Sequence, residues 1–528
     1  MEKIKEFIVK HKTIVICAVI LALIVASVLL FGWVGLWYDA IIAAIVGIAL
    51  TGMKRHGLLK ILSIILLLIV MLSYILPGKQ EAINRIGIAD LLVNYFSIVL
   101  QNFAPIALFV LAVGGLYGVL SKTSSYKKLL DNIVTNVKPM GKKFIFITII
   151  LFAFVAALTG ITMPLFIFVP FVVAIILLLG YDKLVALSAT VASILVGYIG
   201  GVFASFINPS TGVNNTFETF IGLESKFANV FPKLLLLFAG TALLIYFVDQ
   251  HIKKVEAKKV KYELNDDSEL LIAEVKGKYK DIKTWPLVLV LSLTFIILVL
   301  GMVPWNALFN ISVFTKFHAW LVGLHIKEFY VFPNIISANL PALGEWNASG
   351  NPMGAYIYVS MLIVFVTFII SLINKTNIND TLDNYMEGVK KTLPAAGLIS
   401  VAYLVLVCAF NNGFLELLIS NYGKFNFGIS SLYAFLGCLL NIDLTWIVIS
   451  AFSPITTLIT DESIYASVAL LFQGIYGIFS LVGPTSLILI LGLTYLDVPY
   501  TTWLKYIWRF ILYLLILVAL VTLLIVLL

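Results

Sequence analysis

Long apolar stretches separated by short polar segments make up most of the chain. A helix needs about 20 mainly apolar residues to cross a bilayer, and many stretches reach that length. We predict membrane spans over residues 13–36, 39–53, 58–76, 102–121, 184–207, 229–249, 285–303, 352–373, 393–410, 464–482 and 502–528. This pattern predicts an all-α polytopic membrane protein with about 11 transmembrane helices.

Two apolar stretches end in proline-containing polar motifs, Asn208-Pro209-Ser210-Thr211 and Gly483-Pro484-Thr485-Ser486. Proline removes a backbone donor and clashes with the preceding turn, so each helix opens there. An opened helix at membrane depth is tolerated only against protein or a water-filled cavity. Paired interruptions in two halves of a chain are typical of the binding site of a secondary transporter.

The positive charges orient the predicted helices. The chain is 61% hydrophobic and 12% charged, with a mean hydropathy of +1.07, and its net charge of +8 comes from Lys and Arg in short loops. All basic clusters fall on the cytoplasmic side if segments 144–180 and 430–460 each re-enter from one face as a hairpin. The N-terminus is then cytoplasmic. The basic residues are explained by their role in orienting the helices, so the net charge does not indicate a nucleic-acid partner.

The order of elements predicts two inverted repeats, each with a re-entrant hairpin and a broken helix. The resulting organisation comprises N-terminal spans at 1–100, a first repeat at 101–250, a cytoplasmic linker at 251–284, scaffold spans with an extracytoplasmic loop at 285–390, and a second repeat at 391–528.

Small polar residues at the breaks and hairpin tips are the candidate solute- or ion-binding residues. Hydroxyls, amides and freed carbonyls can coordinate a dehydrated cation, and exposed amides at a half-helix N-terminus can hold a carboxylate. The candidates are Thr159, Gly160, Thr162, Asn208, Ser210, Thr211, Ser450, Ser453, Gln473, Gly483, Thr485 and Ser486. A coupling Na⁺ would lie near Asn208, Thr211 and Thr485.

Each motif also has a simpler interpretation, because Ser and Thr in membrane helices often bond back to the preceding turn. Asp443 is the one carboxylate expected inside a hairpin arm, where it serves ion coupling or lies at the interface. Asp182 is expected to mark a helix start. We find no nucleotide-binding, zinc-hydrolase or nucleophile motif, so we expect no enzyme activity and no cofactor beyond a coupling ion.

Two stretches resemble the YfcC-like branch of the ion transporter superfamily, near the anaerobic C4-dicarboxylate carriers. The first, within residues 100–255, contains Gly114-Gly115-Leu116-Tyr117-Gly118 and Gly180-Tyr181-Asp182-Lys183. The second, within 390–515, contains Phe472-Gln473-Gly474, Gly483-Pro484-Thr485-Ser486, Gly492-Leu493 and Val498-Pro499-Tyr500. The resemblance implies a homodimer with elevator motion and carboxylate or amino-acid solutes. The family pattern has acidic residues at the first hairpin tip, whereas this chain has Thr159-Gly160-Ile161-Thr162.

We therefore expect a secondary transporter of a small organic anion, coupled to Na⁺ or H⁺, in the inner (plasma) membrane. An amino-acid permease or exchanger, of the arginine/ornithine kind, is the alternative. A channel or a non-transporting sensor with the same fold is a more distant one. The expected partners are the solute, the lipid bilayer and a second copy of the chain, with no nucleic acid.

Overall fold

A computed structural model describes residues 29, 34–52, 56–75, 85–87, 89–202, 217, 229–258, 282–337, 339–346, 354–412, 431–432, 434–437, 459 and 462–527. Within these residues, eight helices are long and apolar enough to cross a membrane. The only strands among the described residues are two of two residues each. The prediction of an all-helical polytopic membrane protein is confirmed. The predicted span at 13–36 and the hairpin at 430–460 lie largely outside the described residues.

Among the described residues, the first half of the chain contains nine α-helices. They are α1 Val34–Leu50, α2 Gly57–Ile75, α3 Phe96–Lys122, α4 Ser124–Val137, α5 Lys142–Thr159, α6 Val169–Leu178, α7 Lys183–Leu187, α8 Ser193–Ile199 and α9 Val230–Glu256. Short π-helical segments at Asp90–Tyr95 and Ser188–Ala192 precede α3 and join α7 to α8. Two 3-10 helices, Lys138–Met140 and Met163–Ile167, precede α5 and α6.

The second half begins with the predicted scaffold spans and their connecting loop. It contains α10 Trp285–Met302, α11 Trp305–Phe309, α12 Val313–Gly323, β1 His325–Ile326, β2 Phe329–Tyr330, α13 Val331–Ile335, α14 Gly354–Ile373 and α15 Ile378–Asn412. The two strands pair antiparallel. A 3-10 helix, Glu462–Ile464, leads into α16 Tyr465–Ser480, α17 Leu487–Tyr495 and α18 Tyr500–Leu527.

Helices α3 and α15 pack with their backbones almost in contact. A Cβ atom added at Gly114 would lie 2.7 Å from the Gly388 carbonyl oxygen, and one at Gly388 would lie 2.9 Å from the Gly118 Cα. Small residues allow this approach between membrane helices. The glycine run that carries part of the family resemblance therefore has a packing role.

Helix α15 differs from its prediction in length. It begins at Ile378 and continues through Pro394 to Asn412, whereas the predicted span covers only residues 393–410. The proposed boundary between scaffold and second repeat, at 390/391, therefore lies within one continuous helix.

The segment predicted as the first hairpin is broken where the sequence indicates. Helix α5 ends at Thr159, and Gly160 adopts the left-handed conformation (φ +69°) that a residue without a Cβ tolerates best. The following arm, α6, has 10 residues and extends about 15 Å, too short to cross, whereas the 18 residues of α5 extend about 27 Å. Both arms pack on the π-helical segment Ser188–Ala192, but α5 otherwise packs on α8 and α9 while α6 packs on α4 and α7.

The first broken helix is shorter than predicted. The expected span at 184–207 corresponds to α7, the π-helical segment and α8, which end together at Ile199. A Cβ atom at Gly200 would lie 2.5 Å from the Leu237 Cβ and 2.6 Å from the Lys233 carbonyl oxygen. Close approach to α9 at Gly200 thus coincides with the end of this helix at Ile199. The break predicted from the sequence begins only at Asn208.

The second broken helix opens where the sequence predicts. Helix α16 ends at Ser480 and α17 begins at Leu487, so the interruption contains Gly483-Pro484-Thr485-Ser486. Helix α16 packs on α8 and on α18, and α17 packs on α15. The two broken helices therefore contact each other through α8 and α16.

Candidate functional site

The end of α8 and the middle of α16 meet at very short distance, and we call this contact, Tyr198–Val202 with Gln473–Gly477, the helix crossing. A Cβ atom at Gly477 would lie 2.8 Å from the Ile199 amide nitrogen. The Tyr198 and Tyr476 rings also meet, with centroids 5.4 Å apart. The crossing joins the two halves of the chain.

Gln473 bonds the opened end of α8 from the other half of the chain. Its Nε2 donates to the Gly201 carbonyl at 2.7 Å and to the Tyr198 carbonyl at 3.2 Å. The last carbonyls of a helix lack partners within the helix, and an unbonded one in a dry interior is costly. Gln473, which the sequence placed in the site, therefore satisfies backbone groups at the first break.

The first hairpin tip reaches the same crossing. The Val202 amide donates to the Ala157 carbonyl at 2.9 Å, which ties the end of the first broken helix to the last turn of α5. Gly160 and Thr162 are buried beyond this point. The last turn of α5, just before the tip of the first hairpin, therefore lies beside the end of the first broken helix.

Thr159 follows the simpler interpretation of a membrane threonine. Its hydroxyl donates to the Val155 carbonyl, one turn earlier, and accepts a bond from the Ile161 amide at 3.1 Å. These bonds shape the end of α5. Thr159 thus acts on the local backbone, and the tip conformation it supports positions Gly160 and Thr162.

The second break has its own set of donors. The Trp503 indole nitrogen donates to the Leu481 carbonyl at 2.7 Å, and the Tyr500 hydroxyl donates to the Val482 carbonyl. Both donors come from the first turn of α18. The carbonyls freed just before Gly483 are therefore already bonded within the protein.

Thr485 and Ser486 are buried between the two parts of the second broken helix. Ser486 occupies the cap position of α17, where the described residues show no capping bond from its hydroxyl. Its backbone carbonyl accepts from Ile490 at 2.8 Å. Among the described residues, the Ser486 hydroxyl therefore does not cap α17.

Thr485 is the one described member of the three residues expected near a coupling Na⁺.

The two breaks lie at different levels of α16. Gln473, at the first break, precedes Leu481 by eight residues, or about 12 Å along a helix. The structure therefore places Gln473 at the helix crossing, while Gly483, Thr485 and Ser486 lie about three turns further along the second broken helix.

The remaining predicted residues lie outside the part of the chain that the structure describes. They are Asn208, Ser210, Thr211, Ser450 and Ser453, and Asp443 belongs with them. Their contribution to the site stays a prediction.

Lys233 is a buried cation next to the crossing that the sequence did not single out. It lies in the first turn of α9 and is 1% exposed. Its carbonyl borders Gly200, and Asn229, one turn earlier, donates through Nδ2 to the Ala466 carbonyl of α16 at 2.8 Å. Ionisable groups inside membrane bundles usually mark substrate or ion pathways. Its position in the first turn of an apolar span is the sequence feature that could have identified Lys233.

A second buried polar cluster lies at the opposite end of the first broken helix. Asp182 Oδ1 accepts from the Val185 amide at 2.9 Å, so the predicted role of Asp182 in marking a helix start is confirmed. Its Oδ2 lies 2.8 Å from His251 Nε2, and Tyr506 packs on the His251 ring and meets the Ser188 hydroxyl at 3.1 Å. The sequence missed His251 because its partner is 69 residues away.

A family model described as "DcuC: C4-dicarboxylate anaerobic carrier" matches residues 12–527. Two solved structures are similar in arrangement. The Alcanivorax borkumensis YdaH transporter has 13% identity and a TM-score of 0.39, with 88% of this chain and 97% of that chain covered. Neisseria gonorrhoeae MtrF, whose description places it in a class of antimetabolite efflux pumps, has 12% identity and a TM-score of 0.38, with 88% and 94% covered. No curated protein matches the chain.

Proposed function

Because the chain belongs to the C4-dicarboxylate anaerobic carrier family, we propose that it is a secondary transporter of a small organic anion bearing carboxylate groups. The family match over residues 12–527 carries this proposal. Coupling to Na⁺ or H⁺, elevator-type alternating access, a homodimeric state and an inner-membrane location with the N-terminus in the cytoplasm belong to the same proposal.

The chemistry of the helix crossing supports an anionic solute. No acidic residue occurs in segments 184–202 and 465–496, which form the two broken helices. Amide, hydroxyl and backbone groups dominate there, and a negatively charged solute meets no fixed negative charge in these segments. A cationic solute such as arginine has no carboxylate there to bind.

Lys233 supplies the positive charge that a carboxylate would need. It is buried beside Gly200, where the first broken helix ends. An ammonium group forms charge-assisted hydrogen bonds with a carboxylate. We therefore propose that Lys233 recognises one carboxylate of the solute.

Packing between helices supports an elevator motion. Helices α5, α8, α9, α16 and α18 pack on one another and contain the crossing, whereas α2, α3, α10, α14 and α15 form a second group. Helix α17 connects the groups, since it packs on α15 and on the π-helical segment before α8, and α18 also contacts α2. Two helix groups that can move against each other as rigid bodies are one arrangement that gives alternating access.

A thermal-shift panel of the purified protein tests the solute class. Dicarboxylates, tricarboxylates, fatty acids and amino acids are each added with and without Na⁺, because stabilisation grows with ligand occupancy. We expect a dicarboxylate to raise the unfolding temperature, and dependence on Na⁺ would identify the coupling ion. Stabilisation by amino acids alone would favour the permease or exchanger alternative.

Substitutions distinguish the roles of the two named residues. Lys233→Gln should abolish the dicarboxylate shift, while Lys316→Gln, in the loop between α10 and α14, should retain it. Asn208→Ala should abolish coupled uptake into proteoliposomes without preventing membrane insertion. A dicarboxylate shift of unchanged size in Lys233→Gln would remove the proposed carboxylate contact, and wild-type uptake by Asn208→Ala would remove Asn208 from the site.

A further inference from the structure

An apolar cavity of about 550 Å³ separates the two arms of the first hairpin. Its walls are α5, the 3-10 helix with α6, the amphipathic helix α4, and α10. Leu129, Ile133, Leu151, Phe168, Leu291 and Phe295 are among the lining residues. Both arms of the first hairpin therefore border the same cavity.

The cavity is open toward the surface that the bilayer would cover. Leu151 and Ile296, which line it, are 57% and 48% exposed. These residues lie on α5 and α10, two of the helices long enough to cross the membrane. An acyl chain could therefore enter sideways from the lipid without passing through water.

A polar cavity of about 1140 Å³ shares two walls with the apolar one. On α4, Ser124 and Ser125 line the polar cavity, and Leu129, one turn later, lines the apolar cavity. Near the start of α10, Lys283 and Pro286 line the polar cavity and Val288 lines the apolar one. The polar cavity and the apolar cavity thus lie next to each other along α4 and α10.

Charges of both signs surround the polar cavity. Lys122, Lys283 and Lys375 line it together with Asp380 and Asp383. Lys122 also lies 3.5 Å from Glu387, an exposed pair of little energetic weight. This side of the protein carries the basic connector between α3 and α5, which the positive-inside rule places at the cytoplasmic face.

We propose that the two cavities together bind one membrane phospholipid with a free amine in its headgroup, such as phosphatidylethanolamine. The phosphate faces the lysines, the ammonium faces Asp380 and Asp383, and one acyl chain fills the apolar cavity. The charge pattern selects the headgroup, since a headgroup with phosphate alone leaves the two aspartates without a partner. The bound acyl chain would lie between α5 and α10. It would therefore bridge the first hairpin and the proposed scaffold.

Native mass spectrometry of the full-length protein tests this site. The protein is extracted in detergent, incubated with phosphatidylethanolamine, phosphatidylglycerol or phosphatidylcholine of the same chain length, and scored for bound lipid. We expect one phosphatidylethanolamine per chain and lower occupancy by the other two. Equal or higher occupancy by either competitor, or no retained lipid, would overturn the proposal.

Paired variants locate the acyl chain. Val288→Trp should fill the apolar cavity, while Leu289→Trp places the same side chain on the neighbouring exposed position that does not line it. Exclusion of two methylene groups lowers the binding constant by about tenfold. We expect that loss in Val288→Trp and wild-type binding in Leu289→Trp. Equal binding by the two variants would contradict the acyl-chain position.

Charge variants locate the headgroup without risk to folding, because the residues are exposed. Lys283→Ala should lower binding of all phosphate headgroups, and Lys390→Ala, elsewhere on the surface, should not. Asp380→Asn should reduce the preference for phosphatidylethanolamine over phosphatidylcholine, whereas Asp131→Asn should keep it. An unchanged preference in Asp380→Asn would show that the aspartates do not contact the amine.

Discussion

The two interrupted helices satisfy their opened backbone groups from different sources. At the first break, Gln473 reaches across from the other half of the chain to the Gly201 carbonyl. At the second break, Trp503 and Tyr500 come from α18, the second helix after the break, and bond the Leu481 and Val482 carbonyls. One break is thus completed by a long-range contact and the other by a neighbour in sequence.

This difference separates two structural roles. The second break depends on contact between α16 and α18, two helices from the same half of the chain. The first break depends on contact between the two halves at the helix crossing, where the proposed solute site lies, so disturbing this contact should affect transport. We therefore expect the second break to control stability and the first to control transport, and the following substitutions test that division.

The largest effect on stability is expected at the second break. Trp503 is 0% exposed, so Trp503→Ala should lower the free energy of unfolding by about 3–5 kcal/mol through the cavity it leaves. Trp503→Phe keeps a ring but removes the donor to Leu481 and should cost about 1–3 kcal/mol. Unfolding in detergent measures both. Trp508→Ala, half exposed on the same helix, serves as the control, and an equal loss there would refute the assignment.

The next effect concerns the long-range donor. Gln473→Leu removes the bond to the Gly201 carbonyl, while the Tyr198 carbonyl keeps the Gly201 amide as a donor. We expect a loss of about 1–3 kcal/mol together with loss of uptake into proteoliposomes. Gln101→Leu, exposed on α3, should change neither. Full uptake by Gln473→Leu would show that the first break does not depend on this contact.

Packing at the crossing gives a third test. Gly477→Ala would place a Cβ 2.8 Å from the Ile199 amide nitrogen, which should cost about 1–3 kcal/mol in overpacking and push the two broken helices apart. Gly397→Ala on α15 meets nothing within 4 Å and should be stabilising by about 0.5–1 kcal/mol as a helix-interior glycine. Melting temperatures of the two variants should therefore move in opposite directions.

The smallest effect on stability is expected at Ser486. Helix-capping serines usually contribute about 0.5–2 kcal/mol, but no capping bond from this hydroxyl occurs among the described residues. Ser486→Ala should therefore change the unfolding free energy by less than about 0.5 kcal/mol while reducing uptake if the hydroxyl binds solute or ion. A stable variant with normal uptake would remove Ser486 from the site.

Several local features could be predicted from the sequence. The helix break at Gly160, the interruption at Gly483-Pro484 and the helix start at Asp182 all depend on residues within a few positions of the feature. Most of the apolar helices from α2 onward match their predicted spans to within a few residues. The exceptions are the early starts of α3 at Phe96 and α15 at Ile378, the early end of α8 at Ile199 and the late end of α9 at Glu256. All four concern helix ends, where neighbouring elements compete with the local pattern.

The sequence by itself determined the membrane class, the apolar helices and the second break, because hydropathy, proline and glycine act on their own segment of backbone. Only the tertiary structure decided that α8 ends at Gly200 against α9, that Gln473 bonds a carbonyl 272 residues away, and that Lys233 and His251 are buried among distant helices. These features depend on which helices become neighbours. Contact between residues far apart in the chain follows from packing as a whole, which no local pattern of residues encodes.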